Sequence, residues 1–231
     1  APIVILGKTT DCPLPQELSP NLRSLGVMLP YSPIHLLLFS GPFDVLIMTS
    51  GNRSGLPLVK DNDMAVSELG SIADYFLFHN RDIVNRCDDS IVQVIDGETH
   101  FFRRSRGYVP HPFSIKREVT SPTILGVGGE MKNAFCLLKG NQAFMSQYIG
   151  EIDSVEGEDN LLTSLLSFQS LVGTEPDIVA FDAHPEYASA RIATKIQSDR
   201  YEKVYHHHAH LAGVIAEYGV GNEKTIGVIL D

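Results

Sequence analysis

The sequence has no tryptophan, only three cysteines, and no run approaching the ~18 consecutive apolar residues that a membrane-spanning helix needs. Each scarcity excludes something. Cys12, Cys87 and Cys136 are odd in number and widely spaced, which argues against a disulfide framework or a zinc-ligand pair and predicts a reducing, cytoplasmic setting. Basic residues are also in deficit: 18 Lys and Arg stand against 28 Asp and Glu, a formal charge of -10. Neither nucleic acid nor membrane is therefore expected as a partner, because a phosphate backbone demands an excess of Lys and Arg. No G-x-S-x-G elbow and no P-loop pattern is present, so neither a hydrolase triad nor a Walker nucleotide site is supported.

What is present is an ordinary globular composition, 43% hydrophobic and 20% charged over 231 residues, enough for two small domains each with a core. In the first half, apolar runs predict strands at 45–49, 75–78 and 90–94, a helix over 64–69 capped by Asn62, and a hairpin at Asp96-Gly97 leading into 100–103. Pro110, Pro112 and Pro122 mark a linker, with the domain boundary placed near Ser121, giving domains 1–120 and 121–231. Beyond it, runs at 123–127, 134–138 and 143–147, with a tight turn at Gly140-Asn141, read as a β-meander. Helical spacing follows at 159–171 and 186–196, and strands at 177–181 and 225–230. The fold class is α/β, a mixed sheet with helices on its faces.

The sharpest chemical signal is His206-His207-His208-Ala209-His210. His206 and His210 are four apart, so a helix stacks them on one face at the spacing of two metal ligands. The helix is predicted by an apolar stripe of His207, Leu211, Val214, Ile215 and Tyr218, expected to bury one side. Satisfied histidines packed at a helix start would give the same pattern. Asp231, at the end of an apolar run, can complete two imidazoles with a carboxylate, a set that accepts iron, zinc or manganese; a strand-exit Asp starting a turn reads equally well. A second signal is Thr49 to Gly55, a strand exit into Ser50, Gly51 and Asn52 that can present donors to a phosphate or simply form a turn. Arg81, Arg86, Arg103, Arg104 and Arg106 suit a compact anion, or a solvated basic face.

The segments LGVMLPYSPIHLLLF (25–39), MTSGNRSG (48–55), HNRDIVNRCDDSIV (79–92) and RRSRGYVP (103–110) closely resemble the carbamoyl-adenylate-forming, YrdC-like domain of HypF-type hydrogenase maturation factors. GGEMKNAF, SQYIGEID, FDAHPEY and YHHHAH resemble the start of that family's next, Kae-like domain, of the actin/sugar-kinase (RNase H-like) superfamily. The resemblance implies an ATP-dependent carbamoyltransferase. Carbamate from carbamoyl phosphate is adenylated with ATP, with Mg accompanying the nucleotide, and the carbamoyl group passes to the C-terminal cysteine of a maturation partner for cyanide ligand synthesis. By matching motifs, Ser50, Asn52, Ser90 and Arg104 would hold the adenylate, and His206, His210 and Asp231 a divalent metal, Fe or Zn. No residue is assigned a catalytic role.

The chain begins at Ala1 without methionine and halts at Asp231, which suits an internal piece, expected to be inactive alone. Synthesis of tRNA threonylcarbamoyl-adenosine, O-carbamoyl transfer by relatives built from similar domains, and a noncatalytic docking module are the alternatives. The order of the two domains and the acidic charge argue against the first two. The histidine cluster argues against the third.

Overall fold

The computed structural model describes residues 1–115, 122–220 and 223–231. Two compact units emerge, one of Ala1–Ser50 with Cys87–Tyr108, the other of Gly51–Arg86 with Val109–Asp231.

The first unit carries β1 (Ile3–Gly7), β2 (Ser24–Val27), α1 (Pro33–Leu38), β3 (Ile91–Ile95) and β4 (Glu98–Arg103). Its four-stranded sheet has the order β2-β1-β3-β4; β1 pairs antiparallel with β2 and parallel with β3, and β3 pairs antiparallel with β4. The β3–β4 hairpin turns on Asp96 (φ 52°) and Gly97 (φ 84°), both in the left-handed region that a two-residue turn requires. Helix α1 starts with Pro33 in its first turn and the Ser32 hydroxyl accepting from the His35 N–H at 3.4 Å.

The second unit contains α2 (Asn62–Leu69), β5 (Phe113–Ser114), β6 (Ile124–Gly126), β7 (Cys136–Lys139), β8 (Gln142–Met145), α3 (Val155–Val172), β9 (Ile178–Asp182), α4 (Ala188–Ala193), β10 (Arg200–Val204) and α5 (His206–Tyr218). Its six-stranded sheet is ordered β10-β9-β6-β7-β8-β5: β6, β9 and β10 are parallel, and β6, β7, β8 and β5 form antiparallel pairs. Cross-strand neighbours Leu125, Leu137 and Val179 are fully buried in one cluster with Leu161, Leu165 and Phe168 of α3 and Ile192 of α4. The α3 residues recur at i, i+4 and i+7, one helical face, and burying each such side chain stabilises by roughly 2 kcal/mol. Ser154 caps α3 through its hydroxyl, which accepts from the Gly157 N–H at 3.0 Å, and Gly173 (φ 65°) ends it.

The mixed α/β character, the hairpins and helices α3 and α5 match the expectation from sequence. Several elements differ. Residues 45–49 and 75–78 are not strands, and Val45, Ile47, Met48 and Tyr75 are exposed: a short apolar run carries no information on whether a neighbouring edge pairs with it. The cap of α2 is Asp61, one residue before Asn62, with Oδ1 accepting from the Asp63 and Met64 N–H groups at 2.9 and 3.2 Å. The predicted helix over 186–196 is shorter, because Tyr187 and Thr194 cap it at either end. The Pro-containing stretch is not all linker, since Phe113 and Ser114 add an edge strand beside β8. The boundary expected near Ser121 lies outside the described residues.

Two further differences concern the C-terminal region. The predicted strand at 225–230 is extended with strand-like alternation, Gly227 and Ile229 half-buried and Ile226, Val228 and Leu230 exposed, yet no described strand pairs with it. Helix α5 forms as predicted, but its apolar stripe is not buried. Only Leu211 and Ile215 of that stripe are half-covered, and Val214 and Tyr218 lie open, because no described element packs over them.

Candidate metal centre and anion-binding loops

Strands β9 and β10 run parallel in register, so their carboxyl ends emerge together at Asp182 and Val204. The chain leaves β10 through Tyr205 and enters α5 at once, which sets the first turn of α5 at the sheet edge where open α/β folds collect ligands. His206 and His210 lie one turn apart with their rings edge to face, centroids 4.7 Å apart and Nε2 atoms 3.1 Å apart. Gly227 brings the extended tail onto α5: a Cβ there would stand 2.7 Å from Leu211 Cδ1. The tail then reaches Asp231, whose Oδ2 lies 3.1 Å from His206 Nε2 and 3.8 Å from His210 Nε2.

These three residues each offer one donor atom, all within 4.8 Å of one another. Donors bound to one ion at ~2.0–2.2 Å stand roughly 3.0–3.5 Å apart, so two imidazoles and a carboxylate in this arrangement fit a single divalent cation. His206 is half-buried while His210 and Asp231 are exposed, so one side of the cluster opens to solvent. His207 and His208, in the same run, are exposed and belong to no such group among the described residues.

The surroundings of His206 include residues the sequence reading quoted but gave no role. Asp182 Oδ2 lies 2.6 Å from His206 Nδ1, and Asp182 Oδ1 accepts the His184 N–H at 2.9 Å. The Tyr187 ring meets His206 edge-on at 6.3 Å, and a Cβ on Gly129 would touch His206 Cε1 at 3.5 Å. The Gly128-Gly129 turn is locked from below. Gly128 has φ 89°, and Asn133, buried, donates through Nδ2 to the carbonyls of Val127 and Gly129 at 3.0 and 2.7 Å. The available signal for Asp182 was an acidic residue at the end of a predicted strand, two residues before a histidine.

Of the adenylate candidates, Ser50, Ser90 and Arg104 belong to the first unit and Asn52 to the second. Ser50 is exposed. The Asn52 amide donates to the carbonyls of Arg53 and Leu56 at 3.0 and 2.9 Å, holding its own loop in shape. Ser90 is fully buried; its hydroxyl donates to the Arg106 carbonyl at 2.9 Å and accepts the Ser105 N–H at 2.8 Å, so it ties the start of β3 to the turn after β4. Arg104, half-buried, donates through Nη2 to the Tyr108 carbonyl at 3.1 Å. Much of the nearby positive charge is neutralised in place. Arg103 pairs with Asp88 and Arg106 with Asp89, each at 3.4 Å, and Arg106 also donates to the Tyr31 hydroxyl at 3.0 Å. Burial holds the Asp88 carboxyl above its ordinary value, with Arg103 pulling it down.

Residues 1–105 match the Sua5, YciO and YrdC family model, described as telomere recombination, and residues 119–217 match the HypF Kae1-like domain. The class is thus a YrdC-like α/β domain followed on the same chain by a Kae1-like one. Together with its relatives, these matches support a fragment of a HypF-type protein. The chain is 40% identical over 234 residues to carbamoyltransferase HypF2 of Cupriavidus necator, covering 92% of this chain and 28% of that protein. It is 37% identical over 231 residues to carbamoyltransferase HypF of Synechocystis sp., covering 100% and 30%. Among solved structures, full-length HypF in a phosphate- and nucleotide-bound form matches with TM-score 0.84 at 42% identity, covering 94% of this chain and 34% of that one. HypF of T. kodakarensis matches with TM-score 0.85 at 39% identity, covering 94% and 29%. The chain therefore spans about a third or less of the length of these relatives. No described helix is long and apolar enough to cross a membrane.

Proposed function

We propose that this chain forms part of an ATP-dependent carbamoyltransferase of hydrogenase maturation. In this reading residues 1–120 belong to the domain that makes carbamoyl adenylate from carbamoyl phosphate and ATP, with Mg accompanying the nucleotide. Residues 121–231 belong to the domain that passes the carbamoyl group to the C-terminal cysteine of a partner protein for cyanide synthesis. The observation that carries the reading is the convergence of His206, His210 and Asp231 on one point. A divalent ion held there, iron or zinc, would supply Lewis-acid polarisation of the carbamoyl carbonyl. His206 and His210 would orient it from one helix face, and Asp231 would offset its charge while leaving the exposed side for substrate. On the nucleotide side, Ser50 and Arg104 would present hydroxyl and guanidinium groups to the adenylate, and Asn52, whose amide N–H groups are spent on the Arg53 and Leu56 carbonyls, would hold the shape of its own loop. Ser90, spent internally, would act by holding the 103–106 turn in position.

The reading is tested by equilibrium dialysis of the chain against Zn²⁺ or Fe²⁺ near neutral pH. One ion per chain is expected, and His210→Ala should abolish it. Equal binding by the parent and His206→Ala and His210→Ala variants would sink the metal assignment. Because the chain corresponds to about a third of its relatives, we also propose that it does not complete the reaction alone. Carbamoyl-phosphate-dependent release of pyrophosphate by the purified chain would overturn that part.

A further inference from the structure

Asp182 is a buried carboxylate, its side chain 6% exposed, at the last position of β9. Its backbone is held against β10, Asp182 standing in register with Val204 and the next residue, Ala183, donating its N–H to the Val204 carbonyl at 2.9 Å. Both carboxylate oxygens are used, Oδ1 by the His184 N–H and Oδ2 by His206 Nδ1. An ionised carboxylate accepts hydrogen bonds and donates none, so the 2.6 Å contact of Asp182 Oδ2 calls for an N–H donor at His206 Nδ1. A neutral imidazole has one N–H. A neutral His206 that commits this N–H to Asp182 presents a bare lone pair at Nε2. That lone pair faces the Asp231 Oδ2 at 3.1 Å, a second acceptor, which is the arrangement a shared cation stabilises.

We infer that Asp182 is a positioning residue of the centre: its carboxylate fixes the Nδ1–H tautomer of His206 and aims Nε2 at the point shared with His210 and Asp231. This rests on the metal reading above. Asp182 touches no substrate in this scheme and acts through His206. Its consequence is specific, because Asp182→Asn keeps the acceptor for His184 while turning an amide donor toward Nδ1. The imidazole proton is then driven to Nε2, where it blocks the metal-binding lone pair.

The test measures Zn²⁺ affinity by chelator competition for the full chain, Asp182→Asn and His210→Ala. The tautomer of His206 is read in parallel by nitrogen-15 NMR of the metal-free protein. The expected result is an affinity about 10–100-fold weaker in Asp182→Asn. It should be accompanied by a change from the Nδ1–H to the Nε2–H form and by an unaltered circular dichroism spectrum. Parent-like affinity in folded Asp182→Asn, with His210→Ala defective, overturns the role of Asp182 and leaves the metal reading standing. No binding by the parent removes both. Should Asp182→Asn not fold, the parent tautomer decides: Nδ1–H supports the inference and Nε2–H overturns it.

Discussion

Two parts of the larger unit are held in opposite ways. The sheet from β6 to β10 with α3 and α4 is packed around side chains such as Leu125, Phe135, Leu137 and Ile192, all at most 1% exposed. Helix α5 and the tail to Asp231 follow directly on that sheet, yet α5 has no buried residue and Ile226 and Leu230 are each 94% exposed. The metal-ligand candidates lie across this divide. His206 is anchored through Asp182 to the packed sheet, while His210 and Asp231 are carried by the open part. One corner of the candidate centre is thus tied to the packed sheet, while on the open side Gly227 of the tail lies close against Leu211 of α5. Local stability follows buried apolar contact, so the candidate on the sheet side is the best held of the three.

That contrast can be broken from the packed side. Phe135→Ala removes a fully buried ring that meets Phe168 edge to face at 5.3 Å, and is expected to cost about 3–5 kcal/mol by denaturant unfolding. Leu230→Ala, an apolar truncation on the open side, should change stability by less than about 0.5 kcal/mol; comparable losses from both would erase the distinction. A smaller effect sharpens it. Ser154→Ala deprives the Gly157 N–H of its acceptor at the start of α3 and should cost about 1 kcal/mol, visible as a lower thermal midpoint.

A further small effect is electrostatic. Burial acts to raise the Glu158 carboxyl, but hydrogen bonds from Lys195 at 3.0 Å and Arg191 at 2.5 Å overcome it and hold the group below its ordinary value. A carboxyl depressed by folding stabilises above its unfolded value, and the contribution is lost as pH falls through the folded one. Glu158→Gln should therefore cost under about 1 kcal/mol near neutral pH, since both cationic partners are exposed, and the difference from the parent should vanish in acid. A difference that persists unchanged into acid would show that packing, not charge, is what the substitution removes.

Much of the fold was legible because its signals are local. Asp96-Gly97 specifies its hairpin through positive φ, α3 announces itself by apolar residues at helical spacing, and two histidines four apart in a helical pattern share a face wherever that helix sits. The runs at 45–49, 75–78 and 225–230 were misread for the complementary reason: pairing depends on a second strand, and a run of apolar residues is the same string with or without one. Ser90 shows the limit for the nucleotide side, since a motif names the serine but not whether its hydroxyl faces a ligand or the carbonyl of Arg106.

By itself, then, the amino-acid sequence determined the α/β class, the helix that carries His206 and His210, and the motifs of the HypF family, because propensity, period and turn chemistry act over a few residues. Only the tertiary structure decided that Asp182 meets His206, 24 residues away in sequence. It does so because two parallel strands in register end at the same level, and it also brings Asp231 back along α5 to the same point. Long-range approach is a property of packing, and no spacing along the chain encodes it.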